Sequence, residues 1–457
     1  MSNGTTYRRG SVFGALLLIA IGGLFLYANM RPGFNAWGLV ARYWPLVIIF
    51  WGLGKLVDYL MLRGTPEASR ATRLTGGDIV GLIFLILIGT AFSHMVGSTI
   101  WRHGPPWVIG GEEIGCVFGS EYEFSEELTQ EVAPPTTLNI RNGNGDIELV
   151  AGEDNQLRLQ ARKRVCAASE SEAEELADNI DPLLENTAEG WRFRWSSEGS
   201  ASFVRADLEV VVPRTTSLRL SSRQGDIRVS GIQGSVRVEP DDGDARVEDI
   251  EGDVVVEIRR GEAYISEVTG RVELEGRGGE IQLRRIGGAT TVRGEFFGPI
   301  HLASIAGPTT FNSRRTEFSA PRIDGEFTLD SDELTLRRVP GDVTLHTRNY
   351  EIEAEDIGGE LRIENRNGPV VIRAAQPPTS LIQIENRRGD IVLYLPPASG
   401  FRISAATRRG EIESEFSGLE PRRRNGREYT LEGTHGNGRA DIRLNTDRGN
   451  IELRRTS

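Results

Sequence analysis

The chain has 457 residues, 65 Asp or Glu against 53 Lys or Arg, and a formal net charge of −12. The balance is uneven: residues 1–110 hold nine basic and three acidic side chains, net +6, so residues 111–457 carry −18. An acidic bulk argues against nucleic acid as a partner, because phosphate contacts need a positive face.

Residues 1–110 read as a transmembrane region. Residues 12–29, VFGALLLIAIGGLFLYAN, form an uncharged apolar run of spanning length, and residues 79–100 form another, with His94 near its end. Between them, residues 37–56 carry Arg42 and Lys55 near their two ends. Both side chains snorkel to opposite headgroup layers, while Trp37, Tyr43 and Trp44 suit an interface. Three helical spans in the lipid bilayer are expected. Arg8, Arg9, Lys55, Arg63, Arg70 and Arg73 flank one side, against Arg31, Arg42 and Arg102 on the other. Six against three puts the N-terminus in the cytoplasm and, after three spans, the rest of the chain outside. If the middle segment only dips into the bilayer, the side reverses. Trp101 and Trp107 mark the membrane exit.

Residues 111–220 read as the irregular start of a β-solenoid. Leu138 and Ile140 recur nine residues later as Ile147 and Leu149. A helical insertion is expected at 169–186, with Ala173, Leu176, Ala177, Ile180 and Leu184 on one side. Trp191 and Trp195 share a strand face; the expectation is that they plug the core or pack under the helix, the alternative being a sugar-stacking platform. Cys116 and Cys166 are the only cysteines. No spacing pairs them, and two separate thiols are expected, with one disulfide as the alternative in an oxidising compartment.

Residues 221–457 read as regular solenoid. Units of 18 residues begin at Gly225 (GDIRVSGIQGSVRVEPDD), Gly243 (GDARVEDIEGDVVVEIRR) and Gly261 (GEAYISEVTGRVELEGRG). Counted from the glycine, apolar residues fall at positions 3, 5, 8, 12 and 14: Ile227, Val229, Ile232, Val236 and Val238 in the first unit. The pattern runs on through Phe311, Phe318, Phe327, Leu334 and Ile363. Positions 3 and 5, and again 12 and 14, have the period of two that puts alternate strand side chains on one face. Glycine or charged residues between the pairs mark bends. The expected fold is mainly β: a parallel β-helix or solenoid of about 18-residue coils, preceded by the three helices. A lone coil does not bury enough to fold, so the coils must stack.

At these residues the chain resembles known families. RRGSVFGALLLIAIGGLFLYAN followed by ARYWPLVIIFWGLGKL resembles the Lia-type transmembrane region of bacterial envelope-stress proteins. The GDI-x-V repeats and the strand–helix insertion before them resemble the adhesin-like β-helix domain of bacterial envelope proteins. The resemblance implies a multi-pass protein of the bacterial cytoplasmic membrane with a solenoid head, associated with envelope stress or surface adhesion. It supplies no catalytic residue set. Some stress-region relatives restrain a sensor kinase through a C-terminal domain, and here that domain differs.

Acidic residues at position 2 (Asp226, Asp244, Glu262 and Glu280, then Glu317, Glu333 and Glu351) would stack as a ladder. Cation binding is one reading; a solvated turn corner is the expected one. His94, His103, His301, His346 and His435 show no metal spacing, and there is no HExxH, GxSxG or P-loop. No catalytic, cofactor-binding or metal-binding residue is therefore assigned, and no enzyme activity or cofactor is expected. A polysaccharide-active β-helix enzyme is disfavoured because acids occur in every coil and no pair stands out. The expected role is binding or scaffolding through the outward strand faces, including a threonine file of Thr291, Thr310, Thr328 and Thr344. The partner would be an envelope polymer or a protein. Modulation of a sensor kinase is the second reading, and self-association through open solenoid ends the third.

Overall fold

A computed structural model describes residues 107–109, 112–114, 120–196, 204–424 and 428–456. The three expected spans and Cys116 lie outside these residues. Among the described residues, no helix is long and apolar enough to cross a membrane. The chain divides into two compact units. One takes residues up to 125 together with 162–181 and 196–205; the other takes 126–161, 182–195 and 206–457.

The first unit holds helix α1, Glu170–Asp178, with Ala173 and Ala177 buried. Ser169 caps it, accepting from the Glu172 N–H (3.3 Å), while the Glu172 carboxylate accepts from the Ala168 N–H (3.1 Å). This is the reciprocal logic of a capping box. The helix is half as long as the expected 169–186 insertion. A residue before proline is driven out of the α region, which ends the helix short of Pro182, and Pro182–Thr187 is a strand instead. Lys163 is fully buried and donates to the Ala177 carbonyl in the last helical turn (2.8 Å), the end of a helix that favours a cation. Cys166 is disulfide-bonded, and Cys116 is the only other cysteine in the sequence. The expected pair of separate thiols is thereby corrected; a spacing of this length in sequence says nothing about proximity in space.

The second unit is built of coils, each giving one strand to each of two long sheets. Among the described residues these sheets have 17 and 16 strands. In the first, Ser217–Ser222, Val236–Pro240, Val254–Ile258, Val272–Gly278 and Thr290–Phe296 pair in parallel. In the second, Ile227–Ile232, Ala245–Ile250, Ala263–Val268, Ile281–Ile286 and Ile300–Ile305 do the same. The register places each residue over its counterpart 18 positions away, as in Val236↔Val254↔Val272, or 19 away at the later Ile281↔Ile300 and Thr290↔Thr309. Positions 3, 5, 8, 12 and 14 are buried in the coils from Gly225 to Gly279, with Ile227, Ile232, Val238, Ala245 and Val256 all at 0–2% exposure, while Ile357, at position 8 of a later coil, is half-buried.

Position 8 required a device that the alternation does not supply. Residues three apart on a regular strand face opposite sides, yet positions 5 and 8 both point inward. Position 7 resolves this by adopting left-handed backbone: Gly231 (φ 76°), Asp249 (56°), Glu267 (58°), Arg285 (53°) and Ser304 (54°). This left-handed residue, in register from coil to coil, kinks the strand and re-aims the next side chain into the core. Corner glycines solve a different problem. Gly243 has φ 158° and Gly261 φ 136°, and a Cβ on either would stand 2.2 or 2.1 Å from the carbonyl oxygen of the glycine one coil away.

One coil runs backwards. The chain turns at Ser313–Arg315, so that Thr309–Asn312 pairs antiparallel with Thr316–Ala320. Ile323–Asp330 then returns antiparallel between Ile300–Ile305 and Glu333–Val339. A second turn at Ser331–Asp332 restores the forward direction. The expected uninterrupted parallel winding is corrected here. Alternation is blind to strand direction, so the inward residues still fit: Phe318 and Phe327 stack at 4.5 Å, with Phe311 5.8 Å from Phe327.

Coil order also departs from chain order at both ends of this unit. Thr137–Asn142 lies between Ser217–Ser222 and Gly190–Trp195. Ala440–Arg448 lies between Ile382–Arg388 and Phe401–Thr407. The first-sheet edges end in antiparallel pairs, Pro182–Thr187 with Gly190–Trp195, and Arg422–Arg424 with Glu428–His435, which also pairs with Phe401–Thr407.

Two substitutions follow. Gly243→Ala meets both a backbone oxygen and an unfavourable φ, and is expected to cost about 2 kcal/mol or more in urea unfolding. Ser304→Gly is expected to stabilise by about 0.5–1 kcal/mol, while Ser304→Val, β-branched at positive φ, destabilises.

Candidate functional site

The aspartates of the acidic ladder cap the backbone of the next coil, while Glu262 accepts from the Tyr264 hydroxyl. The Asp226 N–H donates to Asp146 Oδ1 (2.9 Å), Asp244 N–H to Asp226 Oδ1 (2.9 Å), and Glu262 N–H to Asp244 Oδ1 (2.8 Å). Each carboxylate thus closes the corner of the adjacent coil. The opposite corner repeats the arrangement, with Arg271 N–H on Asp253 Oδ1 (3.0 Å) and Glu360 N–H on Asp342 Oδ1 (2.8 Å). Burial raises the pKa of Asp146 and Asp244 above the usual carboxylate value, against the lowering effect of the backbone hydrogen bonds; neighbouring carboxylates add to the rise. Glu317 is not part of this ladder. The reversed coil carries it to the other sheet, opposite Asn312 and His346. Among the described residues, no group of three or more His, Cys, Asp or Glu is placed to hold a metal ion.

The threonine file is also reordered. Thr291, Thr310, Ser319 and Thr344 occupy successive rungs of the first sheet, while Thr328 lies in the second, between His301 and Thr335. Trp195 is buried, donates to Asn142 Oδ1 (3.2 Å) and meets Phe193 edge-on at 5.1 Å. It serves the core. His346 sits 3.0 Å from Glu364, and His435 packs between Phe401 and Phe416.

Outward charges are arranged by rung. Arg259 pairs with Asp241 (3.3 Å), Arg260 with Asp242 (3.2 Å), and Arg271 with Asp253 (3.0 Å), each across one coil. Along the later coils the pattern changes. An open groove of about 580 Å³ runs over the first sheet, lined in part by Arg315, Arg348, Arg366 and Arg387. The sequence reading missed this strip, because the reversed coil and the displaced last coil decide which arginines become neighbours. Its sequence trace is an arginine one to three residues before a corner: Arg366 before Gly368, and the Arg-Arg-Gly of 387–389 and 408–410.

Two-sheet stacked coils with corner-capping carboxylates and charged outward files define a β-solenoid. The chain belongs to the Toastrack DUF4097 family, whose model matches residues 126–454. Among solved structures it is similar to a protein provisionally described as a cell adhesion protein from Clostridium sporogenes. That match has 10% identity and a TM-score of 0.14, covering 73% of this chain and 100% of that one. It is also similar to one provisionally described as an adhesin from Bacteroides fragilis, at 11% identity and a TM-score of 0.19, covering 72% and 97%. No curated protein matches.

The raised pKa of Asp244 fixes the sign of a pH effect. Its folded state holds the proton more tightly than the unfolded chain does. Its contribution to stability therefore rises as pH falls through the raised range and is lost as pH climbs back. Asp244→Asn, which keeps an acceptor for the Glu262 N–H, is expected to be at least as stable as the parent at about pH 7 and to lose this contribution to the pH dependence. Asp244→Ala orphans that N–H and is expected to cost about 1–3 kcal/mol by urea unfolding.

Proposed function

We propose that this is a membrane-anchored cell-envelope protein whose β-solenoid stands outside the cytoplasmic membrane and acts by binding or scaffolding, without catalysis. The carrying observation is the in-register stack. It sets the outward side chains of successive coils one above another, a rung spacing of ~4.8 Å, and so displays files of side chains to an extended partner. The disulfide at Cys166 supports an oxidising compartment. The apolar runs at 12–29, 37–56 and 79–100, with the six-to-three basic bias of their flanks, support a three-span anchor in that orientation. The likeness of that region to the Lia-type envelope-stress proteins supports an envelope setting. The partner class is an envelope polymer or a protein, held by outward side chains and not by a buried pocket.

The orientation is tested by Thr310→Cys, at an exposed position of the first sheet. With Cys166 already bonded, a membrane-impermeant maleimide is expected to label this cysteine in intact bacterial cells. Protection until the cells are permeabilised would contradict the placement.

A further inference from the structure

The corner arginines differ between the two halves of the second unit. In the earlier coils acids stand among them: Arg259 and Arg260 meet Asp241 and Asp242 one rung away, and Arg277 meets Glu295. In the later coils they stack on one another. Thr316 pairs with Thr347, which sets Arg315 against Arg348. His346↔Glu364 and the Asn349–Asn367 bridge set Arg348 beside Arg366. Asn365↔Asn386 and Asn367↔Arg388 set Arg366 beside Arg387. Four arginines thus occupy four successive rungs, all exposed and all lining one groove.

The next residues along the corner repeat the trend. Arg388 pairs with Arg448 across the following rung, and the Gly449 N–H bonds to the Arg409 carbonyl on the rung after that. The acid that faces this corner, Asp447, is engaged by Arg408 at 3.3 Å. On the other side of the groove stand Glu317, Glu364 and Glu385, with Glu364 engaged by His346 (3.0 Å) and Glu385 by Gln383 (3.0 Å). Like charges directly opposite on neighbouring strands are destabilising. The chain, which pairs arginines such as Arg259, Arg260 and Arg271 with acids on the next rung, holds this row at a cost, and an external anion removes the cost.

We infer that this row, Arg315–Arg348–Arg366–Arg387 with Arg388 and Arg448 beside it, binds a linear polysaccharide carrying carboxylates along its length. The inference rests on the binding role proposed above and names its partner class. A straight row with one guanidinium every ~4.8 Å matches an extended polymer with regularly spaced acid groups. Guanidinium meets carboxylate in a planar, bidentate fork. The groove is open and polar, as a chain passing through it requires.

The test uses the purified full chain in detergent with polygalacturonate, a neutral glucan and polyphosphate as probes, read by biolayer interferometry at two salt concentrations. Polygalacturonate is expected to bind and to weaken as salt rises. The triple variant Arg348→Gln, Arg366→Gln, Arg387→Gln is expected to lose about tenfold or more in affinity. Its melting temperature is expected to stay level or rise, since a like-charge row has been relieved. A matched triple at paired arginines, Arg228→Gln, Arg246→Gln and Arg271→Gln, is expected to keep the affinity. Equal loss in both triples, or polyphosphate binding in preference to polygalacturonate, would overturn the assignment. Binding of the neutral glucan alone would overturn it while leaving the binding role in place, and binding of none of the three would count against both.

Discussion

Close stacking of one coil's backbone on the next is the constraint from which the rest of the second unit follows. Corner carbonyls sit where a Cβ of the next corner residue would have to stand, as at Gly225, Gly243 and Gly261. Only glycine fits, and its recurrence at 18-residue spacing is the packing requirement written into the chain. The same closeness brings each corner aspartate within reach of the neighbouring coil's N–H. Turn geometry, backbone capping and core register are therefore one arrangement seen at three positions of the repeat.

Stacking also converts sequence into surface chemistry. A residue type repeated at one position becomes a file, and its neighbours in the file are decided by coil order, not by distance along the chain. Where aspartate and arginine alternate, as at 241–242 and 259–260, the file neutralises itself. Where arginine follows arginine, from Arg315 to Arg387, it does not, and the surface acquires a charge that the −18 of residues 111–457 conceals. Ion pairs on exposed faces contribute little to stability; here they matter through which charges they leave for a partner.

The strand content and the inward residues were legible because alternation reports burial directly: Val236, Val238, Val254 and Val256 are as buried as their spacing demands. Direction was not legible. Phe318, Phe327 and Leu329 satisfy the inward pattern whether their coil runs forward or back, so the reversal at Ser313–Arg315 left no mark in the period. Nor was the left-handed kink, since Asp249 and Glu267 are not residues that announce a left-handed backbone. The displaced coil at Ala440–Arg448 was half visible. Ile442 and Leu444 recur at Ile451 and Leu453 as a proper coil should, but only the pairing to Ile382 and Ile384 shows where that coil lies. The row of arginines depends on both hidden features, which is why no reading by period finds it.

Rung identity across the reversed coil is the most direct measure of this account. With Thr310→Cys and Ser319→Cys in one chain, the two residues are direct cross-strand partners, and their Cβ atoms stand ~4.5–5.5 Å apart. Mild oxidation is predicted to join them rapidly, whereas Thr310→Cys with Thr328→Cys, one repeat apart in sequence but on different sheets, stays open. Fast closure of the second pair and none of the first would mean an uninterrupted parallel winding, and the arginine row would have different neighbours.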